Sequence, residues 1–389
     1  MKKICIVAGA RPNFVKVAPL IRAIEKTEEA KYVLVYAGRE DDPTLEPSLF
    51  DDLQMPRPDV YLGVDSTSLN EITSRVMAEF DNLLEREPAD VVIVVDDLAS
   101  TMAAAIVTKK RGIRLAHLVA GTRSFDMNMP KEANRLVIDA LSDYLFTAGV
   151  KSNSVATREQ GDRVVDVGRQ NEDSGTFMVG NILMDTLRFN HQRLRKPDID
   201  IKEGNYLVFT LNRKALLADE EKLSQLLTSM IEAAGDTPII APLRGLARQV
   251  IEREAILPSS ILTSGRVCSR SGKSKQAWLS SRLLADFHLQ SPLSYLEFGW
   301  LTAHARGIIT DSGNVAEEAT FNGVPCITLN SYTEHIETVT VGTNVLVGED
   351  PILLGTEVRK MVSGEWKKSA LPERWDGRTA ERIVKILVG

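Results

Sequence analysis

The stretch Thr310-Asp311-Ser312-Gly313-Asn314-Val315-Ala316-Glu317-Glu318 combines residue types that can hold a phosphorylated ligand. Gly307-Ile308-Ile309 ahead of it reads as a short buried strand, and a helix-like pattern starts at Glu317. Asp311 or Ser312 suits a helix N-cap, and Gly313 lets a ligand approach the backbone closely. A strand, a tight turn and a helix start leave N–H groups free at the positive helix end, which attracts anions. Ser312, Gly313 and Asn314 would supply them. Glu318 lies one turn further in. A carboxylate repels phosphate but can accept two ribose hydroxyls, so phosphate plus ribose points to a nucleotide. The residues alone also fit an ordinary capped helix of an α/β domain.

Two further clusters sit at strand ends. Ile4 to Ala8 is continuously apolar and runs into Gly9-Ala10-Arg11-Pro12, followed by Phe14, Val17, Ala18, Ile21 and Ile24 at helical spacing. Continuous apolarity indicates a parallel strand covered on both faces. Arg11 and Lys16 then lie where open parallel sheets bind ligands, although either also reads as a solvated cation. Val91 to Val95 is another buried strand, ending in Asp96-Asp97. Adjacent carboxylates point in alternate directions, so at most one of the two should face the cleft.

These clusters need elements to carry them. Strands are expected at Tyr32–Ala37, Arg114–Val119, Leu141–Thr147 and Phe177–Asn181, with helices at Leu69–Leu84 (capped by Ser68) and Met102–Thr108. Another helix starts at Met129-Pro130, with proline in its first turn. This strand–helix rhythm stops near Leu187. It restarts at Tyr206–Thr210 and continues through Glu220–Ala234, Thr237–Pro242, Leu293–Ala303, Val324–Leu329, Thr343–Val347 and Ile352–Met361, with a terminal helix at Ala380–Val388. Gly265–Lys275 reads as a mobile insertion with a short helix after it. The expectation is an α/β chain of two Rossmann-like domains with a cleft between them, the GT-B-like arrangement. Residues 1–187 form the first domain, 188–205 a linker and 206–370 the nucleotide domain. Residues 371–389 form a terminal helix that packs back toward the first domain.

Composition narrows the classes. At 389 residues the chain is long for one domain. A net charge of −6 argues against a nucleic-acid surface. Cys5, Cys268 and Cys326 are far apart and show no metal spacing; Cys5 and Cys326 sit in apolar runs and read as buried free thiols of a reducing cytosol. No apolar run is long enough to span a membrane.

The motifs together resemble the non-hydrolysing UDP-N-acetylglucosamine 2-epimerases over nearly the whole length. The resemblance is carried by Ala10-Arg11-Pro12 with Lys16 and Pro19, by Leu62-Gly63-Val64, and by Ala120-Gly121-Thr122-Arg123-Ser124-Phe125-Asp126. It continues through Met129-Pro130 with Asn134-Arg135, Val179-Gly180-Asn181, Pro292 to Phe298, Thr310 to Gly313, Glu317-Glu318-Ala319, Thr333-Glu334 and Gly342-Thr343-Asn344. It implies an isomerase that takes a proton from C2 of a UDP-sugar, releases UDP from C1, and re-adds with the proton on the opposite face. It also implies cytoplasmic location, a homodimer and no nicotinamide cofactor; with the charge, cysteine spacing and apolar runs above, no metal, nucleic-acid or membrane partner is expected.

Carried over residue by residue, the resemblance gives UDP contacts to Arg11, Ser312 and Glu318, with Lys16 and Asp97 beside the cleft; Gly313 and Asn314 of the turn are further UDP-binding candidates, and Lys16 is counted with them. Asn212 stands where the family has a histidine, and His335 where it has an arginine on the diphosphate. The acid/base end departs further. Val119 replaces the loop glutamate after the fourth strand, and Lys131 replaces the first of two glutamates, of which Glu132 remains. Asp96 replaces a glycine. Asp97, Glu132 and Lys131 are then the candidates for proton transfer. The expected function is an epimerase-like protein that binds or acts on a UDP-sugar with low 2-epimerase turnover. The alternatives are a catalytically impaired UDP-sugar-binding homologue, or a UDP-sugar-dependent glycosyltransferase.

Overall fold

The computed structural model describes residues 1–161, 174–252 and 287–389. The Gly265–Lys275 insertion lies outside them. The chain divides into two compact units. Unit 1 comprises Met1–Gln192 and Pro372–Gly389; unit 2 comprises Arg193–Leu371.

Unit 1 contains strands β1 (Lys2–Ala8), β2 (Ala30–Tyr36), β3 (Val60–Tyr61), β4 (Val91–Val95), β5 (Arg114–Ala120), β6 (Tyr144–Thr147) and β7 (Gly175–Met178). They form one sheet in the order β3-β2-β1-β4-β5-β6-β7, and every pairing is parallel. The apolar run of β4 is buried throughout, as expected for a central strand with helices on both faces. Helices Leu69–Arg86 and Ala99–Lys110 close one face through Val76, Phe80, Leu83, Ala103 and Val107. Ser68 caps the former by accepting the Glu71 N–H. In the first helix, Arg11–Glu25, Phe14, Val17, Ala18, Ile21 and Ile24 are all buried.

Unit 2 contains β8 (Leu207–Phe209), β9 (Ile239–Ala241), β10 (Phe287–Leu289), β11 (Gly307–Thr310), β12 (Cys326–Thr328) and β13 (Asn344–Leu346), again all parallel, in the order β10-β9-β8-β11-β12-β13. Its core draws on Leu223, Leu227, Met230 and Ile231 of helix Glu220–Ala234 and on Leu354, Val358 and Met361 of helix Pro351–Ser363. Cys5 and Cys326 are buried free thiols; burial pushes each up to about 12, so neither ionises near neutral pH.

The chain end returns to unit 1. Trp375 is buried, and its Nε1 donates to Ala148 O at 3.1 Å. Asp185 accepts the Thr379 and Ala380 N–H groups at 3.0 and 2.8 Å, capping the terminal helix Thr379–Val388 from another element.

Some elements differ from the expectation. The strand expected from Leu141 begins at Tyr144, because Leu141 ends the Pro130–Leu141 helix. Asp143 between them accepts the Leu115 N–H at 2.8 Å and pairs with Lys109, fixing the strand start. Helix Leu183–Asn190 runs through Leu187, the expected end of the first strand–helix rhythm. The edge strands β3 and β10 and the helices Pro47–Leu53 and Val150–Gly161 were not foreseen.

Candidate nucleotide-sugar site

In each sheet the strand order reverses once, between β1 and β4 in unit 1 and between β8 and β11 in unit 2. Open α/β sheets bind ligands outside the carboxyl ends of the strands at such a reversal. The residues singled out in the sequence follow these four strands: Arg11 and Lys16 after β1, Asp96 and Asp97 after β4, Asn212 after β8, and Ser312 to Glu318 after β11.

In unit 2, Ser312 is the N-cap residue of helix Gly313–Asn322, in extended geometry and without a side-chain capping bond. Asp311 does not cap the helix. Its Oδ2 accepts the N–H groups of Asn212 at 2.7 Å and Arg213 at 2.6 Å, tying the loop after β8 to the turn after β11. Asn330 Nδ2 donates to Asp311 O at 3.0 Å, and Arg213 donates to Asn330 Oδ1 at 2.9 Å, so the loop after β12 joins the same lock. Arg213 also pairs with Glu349. The Asn212 side chain is left exposed beside the turn.

Gly313 is exposed, and among the described residues nothing would lie within 4 Å of a Cβ added there. Protein packing therefore does not demand this glycine, and its open face leaves the backbone approachable. Glu318 is buried, 8% exposed, and no described residue hydrogen-bonds its carboxylate. Burial, with the neighbouring Glu317 charge, pushes it up to about 8. Glu317 itself faces His335, whose Nε2 lies at 3.3 Å.

In unit 1, Asn13 Oδ1 accepts the Gly9 and Ala10 N–H groups at 2.9 and 3.1 Å, and its Nδ2 donates to Asp96 at 2.8 Å. Lys16 Nζ donates to the other Asp96 oxygen at 2.6 Å. Arg11 lies 3.9 Å from Glu46. Asp97 is held by Arg135 at 2.8 and 2.5 Å, with Lys131 Nζ at 3.4 Å. Burial raises the Asp97 carboxyl, but the Lys131, Arg135 and Lys16 charges outweigh it and hold the group below the usual range. Both carboxylates thus have cation partners.

Glu132 is also engaged. Its oxygens accept from Ser124 N and Oγ at 2.8 and 2.9 Å and from Phe125 N at 3.2 Å, and Arg135 lies at 3.2 Å. Burial raises its carboxyl, but the Ser124 and Phe125 donors and the Arg135 charge bring it below the usual range. It is an anchor for the 124–125 backbone and a weak base. The Lys131 side chain is 59% exposed. Val119 sits at φ +72, beside a register shift between Leu118 and Ala120, a conformation that β-branched residues rarely adopt.

Behind these groups lies a buried network that the residue pattern had not signalled. His117 Nδ1 meets Asp139 at 2.5 Å, and His117 Nε2 meets Asp96 O at 3.0 Å. Asp139 also accepts the Gly121 N–H at 3.0 Å and pairs with Arg123 at 2.7 Å. A histidine inside the apolar run Leu115–Ala120 was the available clue. Among the described residues there is no His/Cys/Asp/Glu cluster that could hold a metal ion, and no helix long and apolar enough to cross a membrane.

A family model described as UDP-N-acetylglucosamine 2-epimerase matches residues 22–388. The chain belongs to the UDP-N-acetylglucosamine 2-epimerase family. The UDP-N-acetylglucosamine 2-epimerase of Methanocaldococcus jannaschii is 30% identical over 396 residues, covering 99% of this chain and 98% of that protein. A UDP-2,3-diacetamido-2,3-dideoxy-D-glucuronate 2-epimerase of Pseudomonas aeruginosa is 30% identical over 351 residues, covering 89% and 88%. The crystal structure of the Methanocaldococcus jannaschii enzyme with UDP-GlcNAc and UDP superimposes with a TM-score of 0.78, covering 99% of both chains. The Neisseria meningitidis enzyme shares the fold, with a TM-score of 0.79 at 23% identity, covering 99% of both chains. The α/β class with two Rossmann-like units, the GT-B-like class, is therefore that of this epimerase family.

Proposed function

We propose that this chain binds a UDP-sugar and that its epimerisation of C2 by elimination and re-addition is slow. One observation carries the first half: Glu318 is buried and unbonded by any described residue, one turn inside a helix that starts at the strand-order reversal. A vicinal diol such as that of ribose would satisfy both its oxygens. The N–H groups of Ser312, Gly313 and Asn314 suit the diphosphate, with Asn212 and His335 as further polar groups of unit 2; in unit 1, Arg11 and Lys16 are the cations at the strand ends. UDP-GlcNAc and UDP bound to the Methanocaldococcus jannaschii relative support uridine as the nucleoside.

The second half rests on the acid/base positions. Val119 holds no exchangeable side-chain proton, Glu132 is committed to the 124–125 backbone, and Asp97 is held ionised by cations. Loss of one acid or base group costs a reaction about 10²–10⁴-fold. We further propose a homodimer in a reducing cytoplasm, which the family and the two buried free thiols support.

Incubation with UDP-N-acetylglucosamine in deuterated water tests the chemistry. The expected result is binding with deuterium entering C2 far more slowly than in the Methanocaldococcus jannaschii relative. Wash-in at the relative's rate would contradict the reading of Val119 and Lys131. Release of UDP only when an acceptor is supplied would instead favour a glycosyltransferase.

A further inference from the structure

A cavity of about 430 Å³ opens within unit 1, away from the strand carboxyl ends. The last turns of helix Arg11–Glu25, the helix Leu183–Asn190 and the first turn of helix Thr379–Val388 line it. Its charged wall consists of Arg22, Lys26, Arg188 and Arg378, with Asp185 and Glu381. Lys26 is about 15 Å along the helix axis from Lys16, so the cavity does not belong to the carboxyl-end cluster.

Setting Arg22 aside, the two carboxylates do not balance Lys26, Arg188 and Arg378. Asp185 is used by the Thr379 and Ala380 N–H groups, and burial raises its carboxyl above the usual range. Glu381 is left as the exposed anion. Among the described residues, neither Lys26, Arg188 nor Arg378 makes an ion pair. The wall is also built rather than loose. Arg22 lies over the Phe189 ring at 3.8 Å and donates to Leu53 O at 2.7 Å. Gly377, at φ +71, lets the Arg188 stem pack against it; a Cβ there would come within 2.7 Å of Arg188 Cδ. The Arg188 guanidinium then sits over Asp376 O at 3.3 Å.

We propose that this cavity binds a small phosphate-bearing molecule and couples that binding to the docking of residues 372–389. Guanidinium forks match phosphate oxygens, and the volume lies in the range of small-molecule sites. The terminal segment supplies Arg378 and Gly377, while Lys26 and Arg188 come from elements that precede unit 2 in the chain. A ligand that touches all of them holds the chain end in place without new protein contacts.

The test uses the full chain and inorganic pyrophosphate at constant ionic strength, and compares the unaltered protein with a variant of the cavity so that binding elsewhere cancels. Calorimetry should show binding, and hydrogen exchange should slow in residues 379–388 and 183–190. The double variant Arg188→Gln, Arg378→Gln removes two cations without adding charge. It should weaken pyrophosphate binding about tenfold or more and abolish the added protection. Three results would overturn the proposal: no binding by the unaltered protein, equal binding by the variant, or the same protection from sodium chloride at matched ionic strength. None of these results involves UDP, so failure here leaves the nucleotide reading separately testable.

Discussion

Asp311 accepts the main-chain N–H of Asn212 at 2.7 Å, a bond that spans the reversal between β11 and β8. The same oxygen takes the Arg213 N–H. Asp311→Ala removes the acceptor for both and releases the loop from the Ser312 turn. The expected cost is about 2 kcal/mol of stability, with weaker UDP binding. Asp311→Asn keeps one acceptor oxygen and should lose less of both. Urea denaturation and a UDP titration on the two variants check the order.

Glu318 gives UDP binding a pH dependence. Its folded value of about 8 lies above the ordinary glutamate value. The free folded protein therefore keeps a proton that the unfolded chain has lost, and stability from this group declines as pH rises from about 4.3 toward about 8. Above that range the loss is complete and levels off. A carboxylate that accepts two ribose hydroxyls must be ionised, so UDP binding near neutral pH should release a proton and tighten as pH rises toward 8. Calorimetry in buffers of different ionisation enthalpy measures that proton. Glu318→Gln should abolish its release and flatten the stability slope.

Arg135 and Lys131 both face Asp97, but their removal should differ sharply. Arg135 is nearly fully buried and joins Asp97 to Glu132. Arg135→Ala leaves two buried carboxylates short of their cation and should cost about 3–5 kcal/mol. Lys131→Ala removes an exposed amine and should cost under about 1 kcal/mol. Thermal unfolding of the two variants separates the cases.

Val119 and Lys131 stand where the family resemblance expects carboxylates. The double substitution Val119→Glu, Lys131→Glu should raise deuterium wash-in at C2 of UDP-N-acetylglucosamine by about tenfold or more. Val119→Gly should instead relieve the backbone at φ +72 and raise stability by about 1 kcal/mol without raising wash-in. Mass spectrometry of the recovered sugar and differential scanning calorimetry read the two effects.

The central strands were legible because each is a continuous apolar run between turn residues, as at Ile4–Ala8 and Val91–Val95. The edge strands β3 and β10 were not. Two residues at Val60–Tyr61 and three at Phe287–Leu289 carry too little pattern to stand out. Residues at the strand ends were legible by type: Arg11, Lys16, Asp97, Ser312 and Glu318 all follow strands at the reversals. Their partners were not. Asp311 looks like a cap in sequence, and only the neighbouring strand shows that it locks Asn212. Glu132 looks like a spare acid, and only the fold of the 124–125 backbone shows where its oxygens go. Long-range hydrogen bonds leave no periodic trace in a chain.

The grip of the Ser312–Glu318 turn on UDP is tested most directly at Gly313, where no described residue would crowd an added methyl group. Calorimetric titration of UDP into the unaltered protein and into Gly313→Ala, with thermal unfolding of both, is the measurement. The expected result is binding by the unaltered chain, and binding weakened about tenfold or more in the variant at equal or higher thermal stability. Absence of binding by the unaltered chain, or equal affinity in the two, would contradict a nucleotide held at this turn.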